Sequence, residues 1–229
     1  GTTSSTSVDP LPAVARVARE QGLWLHVDAA YAGTAALCPE LRPLFAGWEE
    51  ADSIVVNPHK WMFTPFDASL LLFRRPDVFR DAFSLVPEYL RVTDTGTVHN
   101  YHEYGIQLGR RFRALKLWMM IRYFGTSGLA ARVRESCRMA AEFARWVDAD
   151  PDWERLAPVP FSTVCFRYRP AALKGHEDDP AVSAELERRN EALMGKVNAT
   201  GKIFLSHTKL KGRYAIRLTL GNMRQTMDH

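Results

Sequence analysis

Apolar residues fall into short continuous runs in the first third of the chain. "LWLHVDAA" (Leu23 to Ala30), "ADSIVVNPHK" (Ala51 to Lys60) and "ASLLLFRR" (Ala68 to Arg75) each read as a buried strand. The stretch before them, "SVDPLPAVARVAREQG", has helical spacing instead. Asp9 is a candidate N-cap and Pro10 takes the first helical position. Val14, Val17 and Ala18 share one face, and Gly22 suits the left-handed position at the end. A helix set between apolar strands predicts an α/β layer.

From Phe83 to Gly105 the pattern breaks. "FSLVPEYLRVTDTGTVHNYHEYG" keeps no period and mixes polar with aromatic residues, as a long binding loop or lid does. Two helices are predicted next. "RRFRALKLWMMIRYFG" repeats Phe112, Leu115, Met119 and Tyr123, and "GLAARVRESCRMAAEFARWVDAD" repeats Leu129, Val133, Cys137, Ala140, Ala144 and Val147. Both stripes read as core. "DPDWERLAPVP", with three prolines, reads as a boundary. Beyond it come a strand "FSTVCFRYRP", a helix opening at Asp179-Pro180 with Val182, Leu186, Leu193 and Val197, and two strands, "KIFLSHTKL" and "YAIRLTLG". That order predicts a small α+β domain.

Composition narrows the function classes. The 229 residues are 46% hydrophobic and 24% charged, ordinary for a globular protein. The net charge of +4 is dispersed except at "RRFRALK", which argues against a nucleic-acid-binding face. No apolar run approaches the roughly 20 residues of a membrane span, and no signal peptide is visible. Cys38, Cys137 and Cys165 are odd in number and far apart, with no C-x-x-C. Three buried thiols in a reducing cytoplasm fit better than disulfides or a zinc site.

The candidate chemistry sits at two strand ends. "HVDAAYAG" places Asp28 after one apolar strand, and "NPHKWM" places Lys60 after another. A lysine in a cleft can act as a Schiff-base nucleophile, and pyridoxal phosphate is its prime partner. A carboxylate beside the pyridine nitrogen keeps that ring an electron sink. Ala29 and Ala30 are small enough for a flat ring to lie close. Ligands of open α/β sheets bind at the C-terminal strand ends, where both residues fall. Each also has a plain structural reading: Asp28 as a helix cap, Lys60 as a solvated lysine.

Together "GTTSSTSVDPL", "LHVDAAYAG", "ADSIVVNPHKWM", "LGRRFRALKLW" and "VCFR" resemble the group II pyridoxal-phosphate decarboxylases, nearest to the aromatic-L-amino-acid decarboxylases. The resemblance implies a fold type I enzyme working as a cytoplasmic homodimer. Residues 1–125 would be the C-terminal part of the large cofactor-binding domain, with a mobile loop at about 84–100. Residues 126–229 would form the small C-terminal α+β domain, incomplete at its end. Lys60 would be the Schiff-base lysine and Asp28 the partner of the pyridine nitrogen. Ala30 would lie against the ring face, Thr3 beside the cofactor, and Asn57 would help hold the phosphate. His59 would line the site. "VPEYLR" matches the family's mobile catalytic loop, and Tyr89 falls on its proton-donating tyrosine. Relatives with Phe there tend to be aldehyde synthases, so Tyr89 favours decarboxylation. His59 and Tyr31 point to an aromatic substrate, because histidine decarboxylases tend to carry Ser at the first position and glutamate decarboxylases usually lack the second.

The family's chain is about twice as long. Its upstream half supplies further strands, the phosphate-binding helix N-terminus and a histidine stacked on the ring. The sequence therefore reads as a decarboxylase fragment, with an open sheet edge and exposed apolar faces expected. Two alternatives stand: an aldehyde synthase or other fold type I enzyme, and a non-catalytic piece unable to hold the cofactor alone.

Overall fold

A computed structural model describes residues 1–84 and 100–229. The expected catalytic-loop motif "VPEYLR", including Tyr89, lies outside the described residues.

The first layer is a sheet of β1 (His26–Asp28), β2 (Ser53–Val56) and β3 (Leu70–Phe73), in that order. β1 and β2 run parallel, with Asp28 opposite Val55, so their C-terminal ends share one edge. β3 runs antiparallel to β2, a departure from an all-parallel sheet. The connection from Asn57 to Ser69 contains no helix, and a parallel return needs a crossover of a dozen or more residues, usually helical.

Helix α1 (Leu11–Glu20) covers one face of this sheet. Its buried residues are Ala15 and Ala18, which pack with Leu25, Val27, Ala29 and Ala51, while Leu11 packs alongside. Val14 and Val17 are exposed, contrary to the predicted face. The stripe Leu11-Ala15-Ala18 turns inward because alanines let a helix approach a sheet closely. Pro10, not Asp9, occupies the N-cap position, with no side-chain cap. Gly22 takes φ +62 as expected, and Leu23 N–H returns to Ala18 O at 2.8 Å to close the helix end.

After β3 and the short α2 (Pro76–Phe83), the two predicted helices form one element, α3 (Arg113–Ala149), broken at Gly125 (φ 64, ψ 172). The predicted core stripe of the second half holds: Leu129, Val133, Ala140, Ala144 and Val147 are buried, and Cys137 is half-buried. The stripe of the first half is not core in this chain. Phe112, Leu115, Met119 and Tyr123 are exposed, Tyr123 at 81%. Periodicity reports an apolar face without reporting what covers it. Leu70, Leu71 and Leu72 of β3 are exposed too, and β1 has a partner on one side only among the described residues.

The second sheet is antiparallel, in the order β4 (Trp153–Arg155), β5 (Thr163–Tyr168), β7 (Arg213–Thr219), β6 (Ser206–Leu210). β4 lies inside the proline-rich stretch read as a boundary. An edge strand tolerates prolines at its ends, since half of its N–H groups need no partner. The helix α4 (Pro180–Ala199) opens as predicted: the Asp179 carboxylate accepts from Ala181 N at 2.8 Å and Val182 N at 3.2 Å. Asn190, fully buried on α4, clips the helix to β5. Its Oδ1 accepts from Tyr168 N at 2.7 Å and its Nδ2 donates to Tyr168 O at 2.8 Å. Asn190→Leu would strand both backbone groups, so urea denaturation is expected to show a loss of about 2 kcal/mol or more.

A core cluster joins the two layers. Ala35, Cys38, Phe45 and Trp61 pack against Ala130, Val133 and Phe161. All three cysteines are free, with Cys38 and Cys165 buried. Burial pushes each thiol up, that of Cys137 to about 12. Among the described residues no group of three or more ligands could hold a metal ion, and no helix is long and apolar enough to cross a membrane.

Candidate active site

The two strand ends are tied to each other before any side chain is considered. Ala29 N–H donates to Val55 O at 3.0 Å and Asn57 N–H to Ala30 O at 2.9 Å. The chain then turns at Asn57-Pro58-His59-Lys60, where Lys60 N–H returns to Asn57 O at 2.9 Å around the buried Pro58. Parallel pairing thus brings Asp28 and Lys60, 32 positions apart in sequence, to one edge. Gly33 is required beneath them. A Cβ there would sit 2.8 Å from Val56 Cγ2, so only glycine lets the turn after β1 lie against β2.

Thr3, Asp28, Ala30 and Lys60 line one cavity of about 200 Å3. Asp28 Oδ1 accepts from Ala30 N–H at 2.9 Å, which fixes the carboxylate at the end of β1 and caps the turn that follows. The structural reading of Asp28 is therefore met by one carboxylate oxygen. Ala30 is buried and presents only a methyl group.

Asn57 and His59 are not among the residues lining this cavity. Asn57 Oδ1 accepts from Ser69 Oγ at 2.7 Å. His59 turns to Ala68, with Nδ1 2.6 Å from Ala68 O and 3.1 Å from Ala68 N. Phe66 packs edge-on at 4.9 Å.

The remaining walls come from the N-terminal loop, the turn after β1 and the second sheet. Arg217 of β7 lines the cavity and is held at three points: Nε to Ser4 O at 2.7 Å, Nη2 to Thr3 O at 3.0 Å and Nη1 to Ser206 Oγ at 3.1 Å. Cys165 Sγ also donates to Ser4 O, at 3.3 Å, in keeping with a thiol that burial keeps protonated. Tyr31 stacks on Trp61 at 4.8 Å and 3°, and its hydroxyl hydrogen-bonds Ser162 across the two layers. Burial pushes the Tyr31 phenol up to about 12, against the opposing pull of the Ser162 bond, so it stays protonated and neutral.

The family model for the pyridoxal-dependent decarboxylase conserved domain matches residues 1–169. The chain belongs to the pyridoxal-dependent decarboxylase family. It is 43% identical over 231 aligned positions to tyrosine decarboxylase 4 of Petroselinum crispum, covering 100% of this chain and 45% of that protein. It is 44% identical to a phenylacetaldehyde synthase of Arabidopsis thaliana, covering 96% of this chain and 44% of that one. A crystal structure of Oryza sativa TDC with PLP and tryptamine superposes with a TM-score of 0.87 at 40% identity, over 96% of this chain and 45% of that chain. The chain thus spans slightly under half the length of the curated relatives it matches, and its α/β architecture is that of fold type I decarboxylases.

Arg217, Tyr31 and Thr6 line the cavity although sequence alone assigned them no place in it. Arg217 interrupts the apolar strand "YAIRLTLG", and a charge at such a position is a signal that could have found it. Tyr31 stood out only as a mark of substrate class. Thr6 lies in a hydroxyl-rich run where no single hydroxyl stands out by sequence.

Proposed function

We propose that the protein to which this chain belongs decarboxylates an aromatic L-amino acid, of the Dopa, tryptophan, tyrosine or phenylalanine type, to its amine and carbon dioxide with pyridoxal 5'-phosphate. One observation carries the reading: an amine and a carboxylate from adjacent parallel strand ends line one cavity, together with the buried Ala30. The donor set fits the cofactor. When bound, pyridoxal phosphate supplies an aldehyde for an amine and a protonated pyridine ring that accepts electrons.

The chain's residues divide the work by chemistry. Lys60 Nζ is the amine that anchors the aldehyde. Asp28 holds a proton on the ring nitrogen by its charge, its geometry preset by the Ala30 N–H. Ala30 leaves room for the ring face, and Thr3 borders it. Arg217 adds a cation fixed by three hydrogen bonds, suited to an anionic group of the ligand. Asn57 and His59 support the turn that carries Lys60, through Ser69 and Ala68, rather than lining the cavity. Tyr89 is assigned to deliver the proton that replaces the lost carboxylate, a role resting on its motif alone. At about 200 Å3 the cavity is smaller than the roughly 300–1,000 Å3 of a complete ligand pocket. Further walls, and cover for β3 and the first half of α3, would come from the rest of the longer protein and from a second copy in a homodimer.

Product analysis of the longer protein with Dopa, tyrosine, tryptophan and phenylalanine tests the proposal. Amine and carbon dioxide support it; ammonia, peroxide and aldehyde support the second reading, an aldehyde synthase, which the likeness to a phenylacetaldehyde synthase keeps in play. Tyr89→Phe is expected to move product from amine toward aldehyde, since a phenyl ring has no proton to give. An unchanged amine yield would remove Tyr89 from its role.

A further inference from the structure

Thr6 combines two unfavourable features in one place. Its φ is +57, a left-handed conformation uncommon for any non-glycine residue and rarer for a β-branched one. Thr6 is 5% exposed, and its Oγ1 has no hydrogen-bond partner among the described residues. The same residue lines the cavity shared by Asp28 and Lys60. Its neighbours are satisfied: Thr2 Oγ1 bonds Ser5 Oγ at 3.0 Å, Ser5 Oγ bonds Ser7 Oγ at 2.7 Å, and Thr208 Oγ1 donates to Ser4 Oγ at 3.0 Å. Among the described residues the other buried hydroxyls without partners, on Thr34 and Thr64, do not line this cavity.

The surrounding loop enforces the strain. Thr6 N–H donates to Thr2 O at 2.8 Å and Thr2 N–H to Ser7 O at 2.8 Å, closing the loop on itself. Arg217 and Cys165 clamp Ser4 O from the second sheet. A buried donor left unmade and a left-handed β-branched residue both cost stability, and such features collect where a ligand is gripped.

We infer that Thr6 Oγ1 donates a hydrogen bond to an oxygen of the ligand bound between Asp28 and Lys60. The inference rests on the function proposed above. The shared chemistry is an anionic oxygen acceptor, which either the phenolic oxygen of the cofactor or the carboxylate of the amino acid provides.

The test uses the longer protein with Thr6→Val, which keeps the shape and removes the hydroxyl, and Thr6→Ser, which restores it. Apo protein is titrated with pyridoxal phosphate, and KM, kcat and inhibition by the amine product are measured. Thr6→Val is expected to weaken binding about tenfold, Thr6→Ser to stay near wild type, and the melting temperature of apo Thr6→Val to be no lower than wild type. A fall in cofactor affinity assigns the oxygen to the cofactor. A raised KM with unchanged cofactor and amine affinity assigns it to the substrate carboxylate, which the amine lacks. Where valine prevents folding, Thr6→Ala gives the same comparison with a smaller side chain. Cofactor affinity and KM both within about twofold of wild type would overturn the inference, as would Thr6→Ser losing as much as Thr6→Val. A wild-type protein that binds no pyridoxal phosphate would overturn the proposed function and this inference with it.

Discussion

Lys60→Ala is expected to reduce turnover of the longer protein by about 10^3-fold or more, with the fold retained. Lys60 itself is exposed at the end of the turn after β2, and the side-chain hydrogen bonds that hold this turn come from Asn57 and His59, so the lysine side chain can be removed without disturbing the packing. The loss should appear in kcat as well as in cofactor retention, because under the proposed function one amine would both anchor the aldehyde and act beside the reacting carbon. An alanine variant with near-normal kcat would remove Lys60 from the chemistry. Unchanged circular dichroism and melting temperature separate this outcome from unfolding.

Asp28→Asn is the second large effect. An opposite charge in contact moves a pKa by roughly one to three, and each step is worth about 1.4 kcal/mol. Removing the charge of Asp28 is therefore expected to slow kcat by about 10- to 1,000-fold. The side-chain amide oxygen of the Asp28→Asn variant can still accept from Ala30 N–H, so the turn that follows β1 should survive. The pH profile carries the sign. Under the proposed function Asp28 would hold the ring nitrogen protonated, so wild-type activity is expected to persist to higher pH, and the asparagine variant to lose kcat at lower pH as the nitrogen gives up its proton. A variant whose rate and profile match wild type would show that Asp28 only caps the turn.

The core of this site was legible because it rests on strands. β1 and β2 are short apolar runs, and their pairing places Asp28 and Lys60 at one edge without help from distant residues. The α1 face was misread because Val14 and Val17 are more apolar than Ala15 and Ala18, whereas close helix-to-sheet packing selects the smaller side chains. β4 was hidden by its prolines, which stand outside the paired residues Trp153 to Arg155. The stripe of Phe112, Leu115, Met119 and Tyr123 announced an apolar face, but no local pattern says which surface meets it. Arg217 and Thr6 reach the cavity only through tertiary contacts between the N-terminal loop and the second sheet, and such long-range closure leaves no periodic trace.

The most direct measurement is chemical trapping at Lys60. The longer protein, loaded with pyridoxal phosphate, is reduced with borohydride to fix any cofactor–lysine linkage, digested, and mapped by mass spectrometry. The expected result is a phosphopyridoxyl group on the peptide containing Asn57-Pro58-His59-Lys60, on Lys60 itself, and its loss in Lys60→Ala. Stoichiometric label on a different lysine, with Lys60 unmodified, would contradict the assignment of this cavity as the cofactor site.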